Sequence, residues 1–270
     1  MFGYVNIEEI FRIKVLYTAF SERRKESYYF GGEHHNFWEI VIVTEGELGI
    51  TAGSDVFMLK KGQAVIHEPM EFHRLWCEGK GETEYIIFSF KASGVPKFSS
   101  NVFEIRDLGV PVGILENFQE NFEILNNNIV EINDPDGANY QIAIKKLEMF
   151  ILNTLSQKLE KSGKVRTQPA KNYTMIVNVM ESNIDKKLSV GDIAKLCNMS
   201  EVNLKKTFSR YSGMGVMEYF NLLKITAATE RIKRGETVQE VANSLGFSNQ
   251  NYFSTVFKKI TGKNPTYYKP

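Results

Sequence analysis

Between Leu188 and Lys269 one pattern is written twice, 48 to 49 residues apart, and this repeat constrains the chain more than any other feature. The first copy runs Ser189-Val190-Gly191-Asp192-Ile193-Ala194, Asn198-Met199-Ser200, Leu204, Phe208, Ser212-Gly213 and Tyr219. The second runs Thr237-Val238-Gln239-Glu240-Val241-Ala242, Gly246-Phe247-Ser248, Phe253, Phe257, Thr261-Gly262 and Tyr268. They read as two copies of one supersecondary unit. Each opens with a capping box, Ser189 with Asp192 and Thr237 with Glu240, where hydroxyl and carboxylate satisfy the orphan amides of a helix start. A short helix follows, its apolar positions (Ile193 and Leu196, Val241 and Leu245) on one side. It is expected to break at Asn198-Met199 or Gly246-Phe247, with a second helix starting at Ser200 or near Ser248-Asn249.

In the second helix of each unit an i, i+4 stripe, Leu204 and Phe208 or Phe253, Phe257 and Ile260, faces the core. Val202, Lys205 and Lys206 then face outward in the first copy, and Gln250, Asn251, Ser254 and Thr255 in the second. Lysines, amides and hydroxyls hydrogen-bond base edges or phosphates in a major groove. Between the units, Met217 to Arg234 contains neither Gly nor Pro and ends at Gly235, expected as a C-cap. At 1.5 Å per residue this helix is about 27 Å long. With its flanking turns it can hold the two outward helices about 34 Å apart, one turn of duplex.

These residues resemble the C-terminal DNA-binding domain of the AraC/XylS family of bacterial transcription regulators. The second copy carries the signature: Ala242, Gly246-Phe247-Ser248, Tyr252-Phe253, Phe257-Lys258-Lys259, Thr261-Gly262 and Pro265. The resemblance spans about 100 residues and implies that the outward positions named above read DNA. One departure is Thr255, where many members carry Arg, which implies a weaker phosphate or guanine contact from the second unit. The alternative for Lys205 and Lys206 is a merely solvated helix face.

Charge divides the chain in the same way. Residues 171–270 hold 15 Lys+Arg against 8 Asp+Glu, and residues 1–170 hold 18 against 24, so a net charge of +1 hides a basic tail and an acidic head. A basic domain attracts a polyanion, whereas an acidic one does not, so the head is expected to do something else. Cys77 and Cys197 lie far apart, which indicates neither a disulfide framework nor a paired-cysteine zinc site. Met1 to Tyr4 lacks the start of a leader, no run of 18 apolar residues occurs, and the protein is expected to be soluble and cytoplasmic.

From Phe11 to about Phe90 the pattern shifts to short apolar runs between turn residues. Candidate strands are Ile13–Ala19, Tyr28–Phe30, Glu39–Val43, Leu48–Thr51, Val56–Leu59, Ala64–His67, His73–Trp76 and Tyr85–Phe90. The turns between them include Glu45-Gly46, Gly53-Ser54-Asp55, Lys61-Gly62, Glu68-Pro69 and Gly79-Lys80-Gly81. Such spacing implies a small all-β barrel or sandwich. His35-Asn36-Phe37-Trp38-Glu39, Gly46, Gly62, Pro69 and His73 resemble the cupin effector domain found in many of these regulators. The resemblance implies that His35, Glu39 and His73 occupy three of the four places that hold a metal in metal-binding cupins, with Glu33 where the first histidine is expected. Two readings stay open: a divalent metal site, or a polar pocket whose members satisfy one another. No metal or cofactor is assigned. Trp38, His67, Trp76 and Tyr85 are either further walls of an effector pocket or core.

Helical periodicity returns between Val112 and Lys161. Ile114, Leu115, Phe118, Phe122 and Leu125 make one stripe and Ile144, Leu147, Ile151 and Leu155 another, separated by Asn133-Asp134-Pro135-Asp136-Gly137. The family resemblance implies dimerisation here; the alternative is that both stripes are buried within one chain. The expected fold is α+β and multidomain: a cupin-like β-barrel sensor over 1–110, a helical dimerisation element over 111–160, a linker over 161–171, and an all-α domain with two helix-turn-helix units over 172–270. The expected function is an effector-responsive, sequence-specific DNA-binding transcription regulator, an activator of a metabolic operon through RNA polymerase. Its partners are double-stranded DNA, a small molecule such as a sugar, and a second copy, with no membrane. The alternative is a metal-dependent cupin enzyme with a DNA-binding tail.

Overall fold

The apolar runs of the first hundred residues become strands buried on both faces, and this is why several of them read as continuous rather than alternating. The computed structural model describes residues 10–25, 27–77, 81–98, 100–157, 164–165 and 167–270. Residues Met1 to Tyr4, Gly79-Lys80 of an expected turn, and Lys161-Ser162-Gly163 of the expected linker lie outside them. Contacts divide the chain into two units, Met1–Ala52 with Phe57–Val165, and Gly53–Val56 with Arg166–Pro270.

The strands of the first unit are β1 (Arg12–Arg24), β2 (Trp38–Glu45), β3 (Glu47–Ala52), β4 (Asp55–Lys60, whose first two residues count with the second unit), β5 (Gln63–His67), β6 (His73–Trp76), β7 (Thr83–Ser93) and β8 (Val102–Glu104). These are followed by α1 (Gly109–Asn121), β9 (Phe122–Leu125), β10 (Asn128–Ile132) and α2 (Asn139–Leu155). Among the described residues the strands form two sheets, of order β8-β5-β2-β7-β1-β10-β9 and β4-β3-β6. The cupin-like barrel is thus built from two facing sheets and not from one closed ladder. Val41, Val43, Leu48, Ile50, Leu59, Leu75 and Ile87 fill the space between them. On the outer face of the larger sheet Ile40, Ile42, Ile86 and Phe88 meet Ile114, Leu115 and Phe118 of α1 and Leu147 and Ile151 of α2. Strand β2 therefore sends alternate side chains to two cores.

The region after α1 differs from the expected second half of a helix. Phe122 and Leu125 fall in β9, and Leu125 is 58% exposed. Asn126 and Asn127, at φ 49° and 68°, make the tight two-residue turn that joins β9 to β10. Two consecutive left-handed residues match the twist of a hairpin, and alternation from Glu123 onward replaces the helical period. Tyr28–Phe30 contributes one bridge, Tyr29 to Trp76, in place of a full strand.

The second unit comprises α3 (Gln168–Glu181), α4 (Val190–Leu196), α5 (Glu201–Ser212), α6 (Val216–Lys233), α7 (Val238–Ser244), α8 (Gln250–Thr261) and a 3-10 turn at Pro265–Tyr268. Helix α3 starts four residues before Asn172, since Thr167 caps it and Pro169 occupies its first turn; a proline there loses no helical bond. Gln168-Pro169, expected in the linker, is thus helical. Both capping boxes form as expected. Cys197 is buried in the first helix-turn-helix, but its neighbour Leu196 is 50% exposed, because α4 is only seven residues long and Ile193 and Ala194 alone reach the core.

Helix α6 buries Val216, Tyr219, Phe220, Leu222, Lys224, Ile225, Ala228, Thr229 and Ile232, which wrap most of its circumference. A helix apolar on nearly all sides belongs in the middle of a fold. One side meets the first helix-turn-helix through Tyr219 against Phe208, ring centroids 5.2 Å apart. The other meets Val241, Ala242, Leu245, Phe253 and Phe257 through Ile225, Ala228 and Ile232. Phe253→Ala removes a fully buried ring from this second core and is expected to cost about 3–5 kcal/mol, read as a lower urea midpoint of the full chain followed by the circular dichroism of its helices.

Candidate nucleic-acid interface and effector site

The two helix-turn-helix turns solve one geometric problem with different residues. Asn198 has φ 51° and Gly246 has φ 71°, the left-handed region that L side chains enter at a cost and that Asn enters more readily than most. Gly246 is further constrained by its surroundings: a Cβ there would lie 2.8 Å from Asp185 O and 2.9 Å from Lys186 C, both backbone. Close by, Lys224 is buried and its Nζ donates to Lys186 O at 2.7 Å and Leu245 O at 2.5 Å, under the rings of Phe220 and Phe247. Burial pulls its ammonium down to about 8, against the opposing charge of Asp185. This cation ties the segment before α4 to the turn of the second helix-turn-helix. Its sequence signal was one lysine inside the apolar run Leu222 to Ala228.

Helices α5 and α8 are held by Leu204 and Phe208 or Phe253 and Phe257 on their buried sides. Opposite these, Val202 is 78% exposed, and Lys205, Lys206, Gln250, Asn251 and Thr255 are exposed, with Ser254 half-buried. Lys205 lies 3.4 Å from Glu201 in an exposed pair, which a phosphate can displace at little cost because surface pairs are weak. Thr255 Oγ1 donates to Asn251 O at 3.0 Å, so this hydroxyl is engaged with its own helix.

In the first unit, side-chain parity sorts the expected pocket residues. Glu39 lies on the inter-sheet side of β2 with Val41, and Ser89 Oγ donates to its Oε2 at 2.9 Å while meeting Thr18 Oγ1 at 2.6 Å. Glu39, His35, His67 and His73 come together: His73 Nε2 is 3.3 Å and His35 Nε2 3.6 Å from Glu39, and the His67 and His73 rings stack at 4.2 Å. Glu33 joins them from the backbone bridge it makes with His73, its Oε1 3.6 Å from His73 Nε2. Trp38 is on the other face of the sheet, edge-on to Phe98 at 6.1 Å. Trp76, three residues from His73, points out of the small sheet and lies on its cross-strand partner Gly49, where a Cβ would be 2.2 Å from the indole. The structure therefore does not bring Trp38 or Trp76 into the cluster, because residues an odd number apart on a strand face opposite ways. Tyr85 is core, its hydroxyl on Glu22.

Charge inside the cluster is strongly coupled. Burial disfavours the Glu39 carboxylate, but His35 and His73 outweigh it and hold its pKa well below the usual range. Burial likewise opposes a charge on His73, yet Glu33 and Glu39 raise it to about 10. His67 is pushed down by burial and by His73, and its Nδ1 meets Glu71 Oε1 at 3.2 Å.

Two domain families match in series: an AraC-like ligand binding domain over residues 16–132 and a helix-turn-helix domain over residues 193–269. The HTH-type transcriptional activator RhaS of Pectobacterium carotovorum is 22% identical over 265 residues, 92% of this chain and 90% of that protein. The bifunctional transcriptional activator/DNA repair enzyme AdaA of Bacillus subtilis is 28% identical over 96 residues, 35% of this chain, which spans only 46% of that relative. Crystallised ToxT from Vibrio cholerae aligns over 93% of this chain and 96% of its own at 15% identity and a TM-score of 0.38. The alternative of a metal-dependent cupin enzyme finds no support in these matches. Among the described residues no helix is long and apolar enough to cross a membrane.

The two turns predict opposite tolerances. Gly246→Ala is expected to lose more than about 1 kcal/mol, whereas Asn198→Gly stays within about 1 kcal/mol of the parent chain; urea titration of both variants measures this.

Proposed function

Since the chain is a transcription regulator of the AraC family, with a ligand-binding domain followed by a helix-turn-helix DNA-binding domain, we propose how its parts divide the work. Residues 1–110 sense the effector, 111–160 dimerise, a linker follows to the cap of α3 at Thr167, and 168–270 bind DNA. The observation that carries the DNA-binding assignment is that α5 and α8, built on the same frame, each bury one stripe and expose the opposite one. Val202, Lys205 and Lys206, with Gln250, Asn251, Ser254 and Thr255, enter two successive major grooves on one face of the duplex. The middle helix, at 18 residues, has the length for that spacing.

The effector site is the cluster of His35, Glu39, His67 and His73, with Ser89 and Thr18 behind it. Imidazole, carboxylate and hydroxyl groups between two sheets suit a polyhydroxylated molecule such as a sugar, which needs several hydrogen bonds in a small volume. The dimer forms through the helical element. Ile142, Met149 and Leu152 leave an apolar stripe exposed on α2, and Val110 and Val112 are exposed on α1. Effector binding shifts the population of dimer arrangements and so the pairs of half-sites that the two tails occupy together. The output is activation in the cytoplasm through contact with RNA polymerase, in keeping with a full-length relative named as an activator.

Genomic fragments selected by the full chain at a stated salt concentration are expected to share two motifs about one helical turn apart. On such a site Lys205→Ala or Lys206→Ala costs about 1–3 kcal/mol if the lysine reads a base, or weakens every sequence evenly and lowers the salt slope by about 1 if it holds a phosphate. No change on either count would assign these lysines to solvent. Met149→Glu is expected to shift the chain from dimer to monomer in sedimentation, and an unchanged dimer would place the interface elsewhere.

A further inference from the structure

Helices α1 and α2 run antiparallel on the outer face of the larger sheet, and the space between them is filled at one end only. At that end the rings of Phe118, Phe122 and Tyr140 occupy it, with successive centroids 5.1 and 6.3 Å apart. At the other end the same helices are parted by a cleft of about 610 Å3, inside the range of about 300–1,000 Å3 usual for small-molecule sites. Lys146 Nζ donates to Asn117 Oδ1 across the boundary between the two ends. Ile105, Ile114, Phe150 and Thr154 make the buried floor of the cleft. Thr154 Oγ1 donates to Phe150 O at 2.8 Å within its own helix, so the floor is apolar in character.

The opening is written into the helices. Gly113 and Asn117 on α1, with Phe150, Asn153 and Gln157 on α2, are stripes spaced by threes and fours that line it. Glycine is less favourable than alanine inside a helix, and Gly113 does not have the positive φ that would call for it. A Cβ built on Gly113 meets no described atom within 4 Å. Packed helices normally set a side chain of one into a groove of the other; here that side chain is missing and its place is open.

The rim opposes Arg106 and Lys146 to Asp107 and Glu116 and so selects no net charge. Asn153 and Gln157 each offer an amide donor and acceptor, and Met149 supplies an apolar wall that adapts its shape. We propose that this cleft binds a small uncharged molecule with an apolar ring system, whose carbonyl or hydroxyl group meets the rim amides. The site is separate from the polar cluster, which lies on the other side of β2 from the core beneath the two helices. Val110 and Met149 also belong to the surface proposed for the second copy, so an occupant touches the dimer contact. That consequence rests on the dimer reading; the binding itself does not.

The test uses the full chain and N-phenylnaphthylamine, an uncharged apolar probe whose fluorescence rises on leaving water. Saturable binding of one probe per chain is expected. Gly113→Leu fills the cleft and should weaken the probe by about 10-fold or more. Gly113→Ala puts one methyl group into open space, so it should raise the melting temperature by about 2–4 °C and weaken the probe less, which separates a filled cleft from a damaged fold. No saturable binding, binding that Gly113→Leu leaves unweakened, or a lowered melting temperature in Gly113→Ala overturns the proposal. Anionic anilinonaphthalene sulfonate should bind the Gly113-sensitive site more weakly, and tighter binding there overturns the uncharged class. Probe binding that appears only on dilution to monomer gives the cleft to the second copy and overturns the small-molecule site. A bound probe that leaves the sedimentation of the chain unchanged removes the link to the dimer and upholds the site.

Discussion

The burial of α6 on almost every side is the constraint on which the DNA-binding half depends. Its Tyr219 side packs on the first helix-turn-helix, which also rests on α3 through Tyr173 against Phe208 and Tyr211, and its Ile225, Ala228 and Ile232 side completes the second core, so both units share this helix. The same helix carries Lys224, a buried cation tied to two backbone carbonyls. Apolar packing alone would set a distance between the units and leave their rotation soft. Directional bonds from Lys224 to the carbonyls of Lys186 and Leu245 add an angular restraint, which the proposed entry of α5 and α8 into grooves of one duplex calls for.

The tail was legible because its information is local and written twice. Caps, breakers and i, i+4 stripes are read within a dozen residues, and the repeat checks each against its copy. Leu196 is the exception: a seven-residue helix has too little length for its period to fix which side is buried. The head was legible as strands but not as faces. Trp38 and Trp76 stand beside the right residues in sequence and on the wrong side of their strands in space, a distinction that parity alone, counted from Glu39 and His73, would have made. Glu33 reaches the cluster through a bridge to His73 forty residues away, and no local pattern carries that. The β9–β10 hairpin was hidden by an apolar spacing that happens to suit a helix, although the asparagines at 126 and 127 marked the turn.

The cluster between the sheets shows how a polar site is kept in an apolar interior. Each of its members is held from behind: Glu39 by Ser89, His67 by Glu71, and the two other histidines by backbone carbonyls. What faces inward is therefore preorganised and does not collapse onto itself. On the effector reading proposed for this cluster, a ligand would meet groups already ordered, and preorganised sites bind more tightly for that reason.

Strand β2 gives this arrangement a mechanical reach. Glu39 and Ile40 are adjacent, one pointing between the sheets and the other into the core shared with α1 and α2. A side chain can swing alone, but a peptide plane cannot tilt on one face only. Any adjustment of the strand that re-seats Glu39 is carried by the same covalent chain into the seat of the helices, and the close-packed interior there has little slack to absorb it. The sheet thus works as a stiff membrane with a chemical surface on one side and a packing surface on the other, and one residue of separation spans its whole thickness.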